Sequence, residues 1–252
     1  MSLKYAYCKV SISPVRAENK DQAEIVTQLL FGEVFQIEEI EGSWCKIVTY
    51  YDNYPGWIDV KHFKPLTEKE FGRWMDGVTF EKSIYRNLKT PWGNQRIVKG
   101  SFIPFSDKLP FKIGHDEFQL EASNDEKQLA SIYDTALEYL NSPYLWGGKT
   151  PFGIDCSGFT QTVFRFFGIN LPRDASQQVE HGLEIDFAEH ESGDVAFFHN
   201  KNGKIIHVGI LNGNGEIIHA SGCVRIDFIT IDGIVHKESD ELTHQLNCIK
   251  RY

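Results

Sequence analysis

The amino-acid sequence predicts an α+β protein in which a small all-β part precedes a domain of helices packed on an antiparallel sheet. Short β-prone segments separated by turn residues fill the first quarter of the chain, a pattern typical of a small barrel. From residue 123 onward, helical periodicity comes first and alternating strands follow, which predicts an α+β domain. We therefore expect three parts, at residues 1–66, 67–122 and 123–252.

The first part shows strand signals at even spacing. Apolar and polar residues alternate at 8–12, 33–37, 44–48 and 54–58, and turn residues such as Gly42 separate these segments. Many short strands of this kind predict a small β-barrel over residues 1–66.

The middle part, residues 67–122, gives a less regular pattern. Possible strands alternate with Gly and Pro breaks, so this part is either a second, degenerate small barrel or an ordered connector packed on the domain that follows. Its many aromatic residues argue against disorder.

The last part begins with helical signals. Ser123 and Glu126 form a capping-box pattern before a helix that would end at residues 141–143. A second helix is predicted from Cys156 to Gly168, and a short third helix is predicted after Asp174. Predicted strands then follow at residues 194–198, 204–211, 216–221, 224–229 and 248–252.

Cys156 is the candidate nucleophile because it would lie on the first turn of a buried helix. Free backbone N–H groups and the positive end of the helix dipole favour a thiolate there, which predicts a lowered pKa for this thiol. The alternative is that Cys156 packs as a small buried hydrophobe, which is common for free cysteine.

Two histidines occupy neighbouring predicted strands. A three-residue loop centred on Gly213 would place His207 opposite His219, on the same face of a hairpin. With a helix-start cysteine, His207 would act as general base and His219 would orient it. The alternative is a structural pair of hydrogen-bonded histidines.

No paired-ligand spacing such as C-x-x-C or H-x-x-x-H accompanies the two histidines, so we expect no metal site. The opposite face would carry Ile206, Val208, Ile210 and Ile218.

Composition limits the classes of partner. The net charge of −9 argues against nucleic acid and anionic membranes as main partners, and no apolar run reaches membrane-spanning length. Five scattered cysteines are an odd number, which favours a reducing compartment over a disulfide framework. Because the N-terminus lacks an apolar signal segment, we expect a cytoplasmic protein; the alternative is export with a signal peptide already removed. The oligomeric state is not fixed, and a monomer is compatible with the sequence.

Six motifs in the C-terminal half resemble, in their order, the NlpC family of papain-like cysteine peptidases. They are residues 143–148 (PYLWGG), 155–158 (DCSG), 171–174 (LPRD), 193–195 (GDV), 207–210 (HVGI) and 218–221 (IHAS). The resemblance implies cleavage of bacterial cell-wall stem peptides after γ-linked D-glutamate. It also implies that Cys156, His207 and His219 form the catalytic triad and that Tyr144 lies near the oxyanion site.

The first part resembles the bacterial SH3-like barrels that are often fused to wall peptidases. In intracellular relatives such a barrel holds the free amino group of the L-alanine that starts the stem. The candidates for that contact here are Glu33, Tyr51 and Tyr54.

Three residues of the last part are further candidates for substrate contact by resemblance, namely Asp155, Ser157 and Ser176. Asp155 is equally suited to cap the cysteine helix. Arg173 and Asp174 are expected to be structural, through a salt bridge or a cap.

Together these features predict a thiol endopeptidase that acts without a cofactor on the peptide L-Ala-γ-D-Glu-diamino acid. The expected reaction is hydrolysis of the γ-D-glutamyl–diamino acid bond in muropeptide recycling. Alternatives are hydrolysis of intact peptidoglycan, a non-catalytic module that binds wall peptides, and thiol-dependent acyl transfer or amidase chemistry on another amide.

Overall fold

The computed structural model describes residues 4–105, 110–122 and 130–252, and the chain forms two compact units, Met1–Lys127 and Gln128–Tyr252. The first unit contains one α-helix, α1 (Glu68–Met75), and thirteen strands among its described residues. The strands are β1 (Tyr5–Cys8), β2 (Ile12–Arg16), β3 (Ile25–Leu30), β4 (Val34–Glu41), β5 (Trp44–Thr49), β6 (Pro55–Asp59), β7 (Phe63–Leu66), β8 (Val78–Phe80), β9 (Tyr85–Thr90), β10 (Gly93–Val98), β11 (Phe102–Pro104), β12 (Phe111–Ile113) and β13 (Asp116–Leu120).

Strands β1 to β7 form one antiparallel sheet in the order β3-β2-β6-β5-β4-β1-β7. Alternate residues of these strands face a common core that includes Val15, Phe35, Ile47 and Ile58. The strands predicted near 33–37, 44–48 and 54–58 are confirmed. The strand predicted at 8–12 is wrong, because the chain there leaves β1 at Cys8 and enters β2 only at Ile12.

The described residues of the middle part, 67–105 and 110–122, share a core with the first sheet. Strands β9, β10, β12 and β13 form a four-stranded sheet, and β8 pairs with β11. Phe102 and Phe118 of this segment pack with Tyr7 of β1 and with Phe31 in the turn between β3 and β4. Trp74 of α1 donates its indole N–H to the Gly32 carbonyl at 2.9 Å. Trp74, Phe102 and Phe118 are therefore core residues.

The second unit contains three α-helices and nine strands among its described residues. The elements are α2 (Ile132–Leu137), β14 (Lys149–Thr150), β15 (Gly153–Ile154), α3 (Cys156–Arg165), α4 (Ala175–Gln178), β16 (Leu183–Ile185), β17 (Ser192–His199), β18 (Ile205–Asn212), β19 (Glu216–Ser221), β20 (Cys223–Thr230), β21 (Gly233–Val235) and β22 (Leu242–Arg251).

Helix α2 is shorter than the sequence predicts. The predicted cap at Ser123 and Glu126 lies outside the described residues, and the observed helix starts at Ser131, whose hydroxyl accepts the Asp134 N–H. After Leu137 the chain continues in tighter i→i+3 turns, until the Asn141 N–H bonds the Val224 carbonyl on the sheet. A tertiary contact thus ends this segment.

Six strands of the second unit, β17 to β22, close into an antiparallel barrel because β22 pairs with both β17 and β21. Inside the barrel lies an apolar core that includes Phe198, Leu211, Ile217 and Ile229. The outer face carries Val208, Ile210 and Ile218, which pack against the helices. Ile206 does not join that face as predicted; it is 51% exposed.

No helix within the described ranges is long and apolar enough to cross a membrane.

Candidate active site

Helix α3 begins at Cys156 because Asp155 caps it. The Asp155 carboxylate accepts the Gly158 N–H at 2.7 Å and the Gly147 N–H at 2.8 Å. Arg173, fully buried, forms a two-pronged ion pair with the same carboxylate at 3.0 and 2.6 Å. The predicted cap at Asp155 and the structural salt bridge of Arg173 are confirmed.

The start of α3 lies directly against the preceding loop, and glycine permits this contact. A Cβ atom added at Gly158 would lie 2.3 Å from the Gly148 carbonyl oxygen, and one added at Gly148 would lie 2.4 Å from the Gly153 carbonyl oxygen. The close approach fixes the orientation of the turn that presents Cys156.

Cys156 is 8% exposed, and the lowered pKa that the helix start predicts for its thiol is wrong. Burial raises this pKa to about 12, and the neighbouring Asp155 carboxylate adds to the increase. Backbone N–H groups of Ser157 and Val208 and the charge of Arg173 oppose it without outweighing it. The helix start does favour the thiolate, but desolvation is the larger effect.

His207 and His219 lie on the inner face of the barrel and touch each other. The His207 Nε2 atom lies 2.8 Å from the His219 Nδ1 atom. The predicted direct pairing across the hairpin is wrong, because the loop centres on Asn214 and His219 pairs with Gly209. The two histidines are therefore diagonal neighbours, and the absent side chain at Gly209 leaves the space that the His219 ring crosses.

The ring of His207 is placed by an irregularity in β18. Phe198 pairs with His207 and His199 pairs with Ile205, so Ile206 is an extra residue that forms a bulge next to the histidine. Bulges redirect side chains near functional sites. His207 directly precedes Val208, whose backbone N–H is close enough to Cys156 to lower the pKa of its thiol, so thiol and imidazole belong to the same part of the unit.

A third histidine, His244, was not among the sequence candidates and lies in β22. The ring of His244 stacks on that of His207 with centroids 4.2 Å apart and an interplanar angle of 27°. Burial lowers the pKa of His244 to about 4, and the neighbouring His219 lowers it further than Asp227 raises it. His244 is therefore neutral near pH 7.

Asp227 of β20 completes the polar group at the mouth of the barrel. Its Oδ2 atom lies 3.0 Å from the His219 Nε2 atom. Burial alone raises the pKa of this carboxyl, but hydrogen bonds from His219, the Lys237 N–H and Arg225 outweigh it and hold the pKa well below its usual range. Sequence reasoning missed Asp227; the alternation of β20 was the only signal, since it places residue 227 on the histidine face.

Charging a single group in this site is unfavourable. The pKa of His207 lies well below its usual value because the ring is buried and because His219 and His244 are close. Transfer of the Cys156 proton to His207 creates two opposite charges at once, and their attraction in a low-dielectric site opposes the desolvation penalties of the two ions. The arrangement thus suits a neutral thiol and imidazole that ionise together.

Tyr144 lies close enough to respond to the charges of the thiol and the cap. Burial raises the pKa of its hydroxyl to about 12, and Cys156 and Asp155 contribute to the increase. Its ring packs against the same core as Cys156. A neutral phenol in this position can donate a hydrogen bond, as an oxyanion requires.

The remaining candidates are dispersed. Ser157 is buried and accepts the Arg173 guanidinium N–H at 2.9 Å, whereas Ser176 is exposed on α4. In the first unit, the buried Glu33 carboxylate accepts the Leu30 N–H at 3.0 Å. Tyr51 and Tyr54 are half-buried, and Tyr51 packs on Phe102 of β11. Their substrate contacts stay predictions.

Within the part of the chain that the structure describes, no group of three or more His, Cys, Asp or Glu side chains is arranged to hold a metal ion.

This arrangement is that of the papain-like cysteine peptidases. The class has a thiol at a helix start, imidazoles at the mouth of an antiparallel barrel and helices on the barrel's outer face. The NlpC/P60 family matches residues 141–239, and the bacterial dipeptidyl-peptidase Sh3 domain matches residues 15–63. The probable endopeptidase NlpC of Escherichia coli is 36% identical over 121 residues, which cover 47% of this chain and 73% of that protein. The chain belongs to the NlpC/P60 family of peptidases.

The similarity to other relatives extends over both units. The γ-D-glutamyl-L-lysine dipeptidyl-peptidase of Bacillus subtilis is 27% identical over 250 residues, which cover 85% of this chain and 78% of the relative. A crystal structure of an NlpC/P60 family protein from Bacillus cereus superimposes with a TM-score of 0.79 at 21% identity, covering 98% of this chain and 99% of that one. This structural likeness confirms the fold, with the SH3-like part before the peptidase domain.

Proposed function

We propose that the protein hydrolyses the γ-D-glutamyl–diamino acid bond of cell-wall stem peptides that carry a free N-terminal L-alanine, as a step of muropeptide recycling in the cytoplasm. The observation that carries this proposal is the order of the two matched regions, an SH3 domain of dipeptidyl-peptidase type followed by an NlpC/P60 domain with its cysteine and both histidines present. Relatives with similarity across both regions are γ-D-glutamyl-L-lysine dipeptidyl-peptidases.

In the proposed reaction, His207 accepts the proton of Cys156 as the sulfur attacks the γ-carbonyl carbon of D-glutamate. The backbone N–H at the start of α3 and the Tyr144 hydroxyl stabilise the oxyanion. His207 then protonates the leaving amine of the diamino acid. It next activates the water that hydrolyses the thioester, which releases L-Ala-γ-D-Glu and restores the thiol.

Asp155, Ser157 and Ser176 stay candidates for contact with the peptide. For Asp155 the existing bonds to Arg173 and two backbone N–H groups support a positioning role, since they hold the carboxylate rigidly beside Cys156. The free amine of L-alanine is proposed to be selected by Glu33, Tyr51 and Tyr54.

The test compares kcat/KM for L-Ala-γ-D-Glu-diaminopimelate, its lysine counterpart and the N-acetylated form of each. Loss of a hydrogen bond to a charged group lowers kcat/KM about 10- to 100-fold, so the acetylated peptides should be cleaved at least that much more slowly. Mass spectrometry identifies the bond that is cut, and Cys156→Ala is the inactive control. Equal rates on free and acetylated peptides, together with release of fragments from intact peptidoglycan, would favour a general wall hydrolase instead.

A further inference from the structure

Asp227 ends a row of hydrogen-bonded side chains that crosses three neighbouring strands of the barrel. The row runs from His207 on β18 to His219 on β19 at 2.8 Å, and on to Asp227 on β20 at 3.0 Å. Each step joins diagonal neighbours, since His219 pairs with Gly209 and Asp227 pairs with Ile217. All three side chains are 5% exposed or less, so water does not replace these contacts.

We propose that Asp227 is a positioning residue that fixes which nitrogen of each histidine carries the proton, and thereby leaves Nδ1 of His207 free to act as the base. The proposal rests on the proposed thiol chemistry of Cys156 and His207, and it assigns a role to a residue outside that set.

The first step concerns the carboxylate. Asp227 receives the Lys237 N–H at 3.0 Å and an Arg225 guanidinium N–H at 3.1 Å. The Arg225 Nε atom lies 2.9 Å from Oδ2, close enough for charge attraction although its N–H is not aligned for a hydrogen bond. These donors keep the carboxyl ionised, and an ionised carboxylate can only accept. The His219 Nε2 atom must therefore carry a proton.

The second step follows from the chemistry of a neutral imidazole, in which one nitrogen donates and the other accepts. With its proton on Nε2, His219 offers the lone pair of Nδ1. The His207 Nε2 atom, 2.8 Å away, must then be the donor. His207 is left with an unprotonated Nδ1, which is the atom that can take the thiol proton.

The reverse set of tautomers contains the same number of hydrogen bonds between the histidines but blocks the reaction. It would place the His207 proton on Nδ1, where the proton of Cys156 has to arrive. In the proposed set, the proton moves from Sγ to Nδ1 of His207, the resulting imidazolium donates to His219, and Asp227 stays ionised throughout. His244 does not compete in this row, since its Nδ1 atom bonds the Thr243 hydroxyl at 2.9 Å.

The direct test is the tautomer itself, measured by two-bond ¹H–¹⁵N correlation spectra of the ¹⁵N-labelled full chain. Cys156→Ala is used as background, so that no thiol proton enters the histidine row. Both His207 and His219 are expected to carry their proton on Nε2. In Asp227→Asn the amide N–H₂ can donate to the His219 Nε2 atom, and both protons are expected on Nδ1. A His207 proton on Nδ1 with Asp227 present, or unchanged tautomers in Asp227→Asn, would overturn the proposal.

The kinetic test uses a matched control. Asp194 is also buried, forms a two-pronged ion pair with Arg251 at 2.8 Å and accepts the Glu191 N–H, but lies at the opposite end of the barrel. Asp227→Asn should lower kcat about 10- to 100-fold with KM changed about twofold at most, on the scale of one hydrogen bond to a charged group. Asp194→Asn should leave kcat within about twofold. Equal losses in the two variants would mean that Asp227 only stabilises the fold.

A double-mutant cycle separates positioning from stability. If Asp227 acts through His219, Asp227→Asn should cost little further activity once His219 is replaced by Asn. Additive losses would contradict the proposal. If the wild-type chain cleaves no stem peptide at all, the proposed function fails, and the spectra of the Cys156→Ala protein still decide the tautomer assignment.

Discussion

Replacement of Gly209 by alanine tests the geometry of the histidine pair through the β18 position that pairs with His219. An added Cβ would lie 2.8 Å from the His219 Cβ atom and 2.8 Å from the Ile217 Cδ1 atom. Ordinary van der Waals contact begins at 3.4 Å, so strand β18 or β19 has to move by about 0.6 Å (3.4 − 2.8) to relieve the contact. The Ile217 methyl can rotate away, but the His219 Cβ atom is attached to the backbone.

Both activity and folding stability should decrease. Overpacking of this kind costs about 1–3 kcal/mol of unfolding free energy. A displacement on the order of 1 Å in a catalytic group lowers the rate about 10²-fold, so a shift of about 0.6 Å should reduce kcat roughly 10- to 100-fold. KM should change little, because Gly209 lies on the inner face of the barrel and its added methyl acts on the histidine row.

The assay measures kcat, KM and urea unfolding of Gly209→Ala beside Ala136→Val. Ala136 is fully buried on α2 of the same unit, so the added methyls of valine overpack a core of this unit away from the histidine row. Both variants should lose stability, but only Gly209→Ala should lose kcat. A kcat within twofold of wild type in Gly209→Ala would refute the reasoning that the empty position at Gly209 sets the His207–His219 contact.

Four further outcomes are expected. Cys156→Ala should abolish turnover of stem peptides without a change in the urea midpoint, and residual turnover in the pure variant would remove the nucleophile assignment. His207→Ala should reduce kcat/KM nearly as far as Cys156→Ala, whereas His219→Asn should retain more activity. The reason is that another polar group can hold the His207 imidazole in place, but no such group can replace that imidazole. An equal loss of kcat/KM in the two histidine variants would show that their roles are not separable. At pH 7, iodoacetamide should label Cys156 at least about tenfold more slowly in His207→Ala than in the wild type. Because the pKa of this thiol is raised to about 12, the thiol stays protonated at pH 7 unless an imidazole accepts its proton. Equal labelling rates, measured by digestion and peptide mapping, would contradict this coupling. Arg173→Leu should cost about 3–5 kcal/mol of unfolding free energy because it leaves the Asp155 carboxylate buried and unpaired, and a loss below about 1 kcal/mol would contradict that account.

The sequence by itself determined the features that depend on local chemistry. Helical periodicity after an Asp that can cap gave the start of α3 at Cys156, and the β-branched segments around a turn gave the hairpin of β18 and β19. The order of the motifs identified the class of peptidase. These features could be read because capping, turn formation and strand alternation involve residues within a few positions of one another.

The tertiary structure decided the geometry that long-range packing sets. Register is an example: the diagonal contact of His207 with His219 depends on a loop centred on Asn214 and on a bulge at Ile206, and neither follows from residue type. The membership of His244 in the site depends on the closure of the barrel by β22, whereas Asp227 joins the site through the pairing of β20 with β19.

The direction of the pKa shift of Cys156 was also decided by the tertiary structure. The sequence showed the helix start, which favours the thiolate, but could not show how much water the folded unit removes. Desolvation of the thiol exceeds the effect of the helix start, so burial raises the pKa that the local pattern predicted to be lowered. Local sequence thus specifies which groups are present and where they sit on their own elements, whereas burial and contacts between elements fix their protonation and their partners.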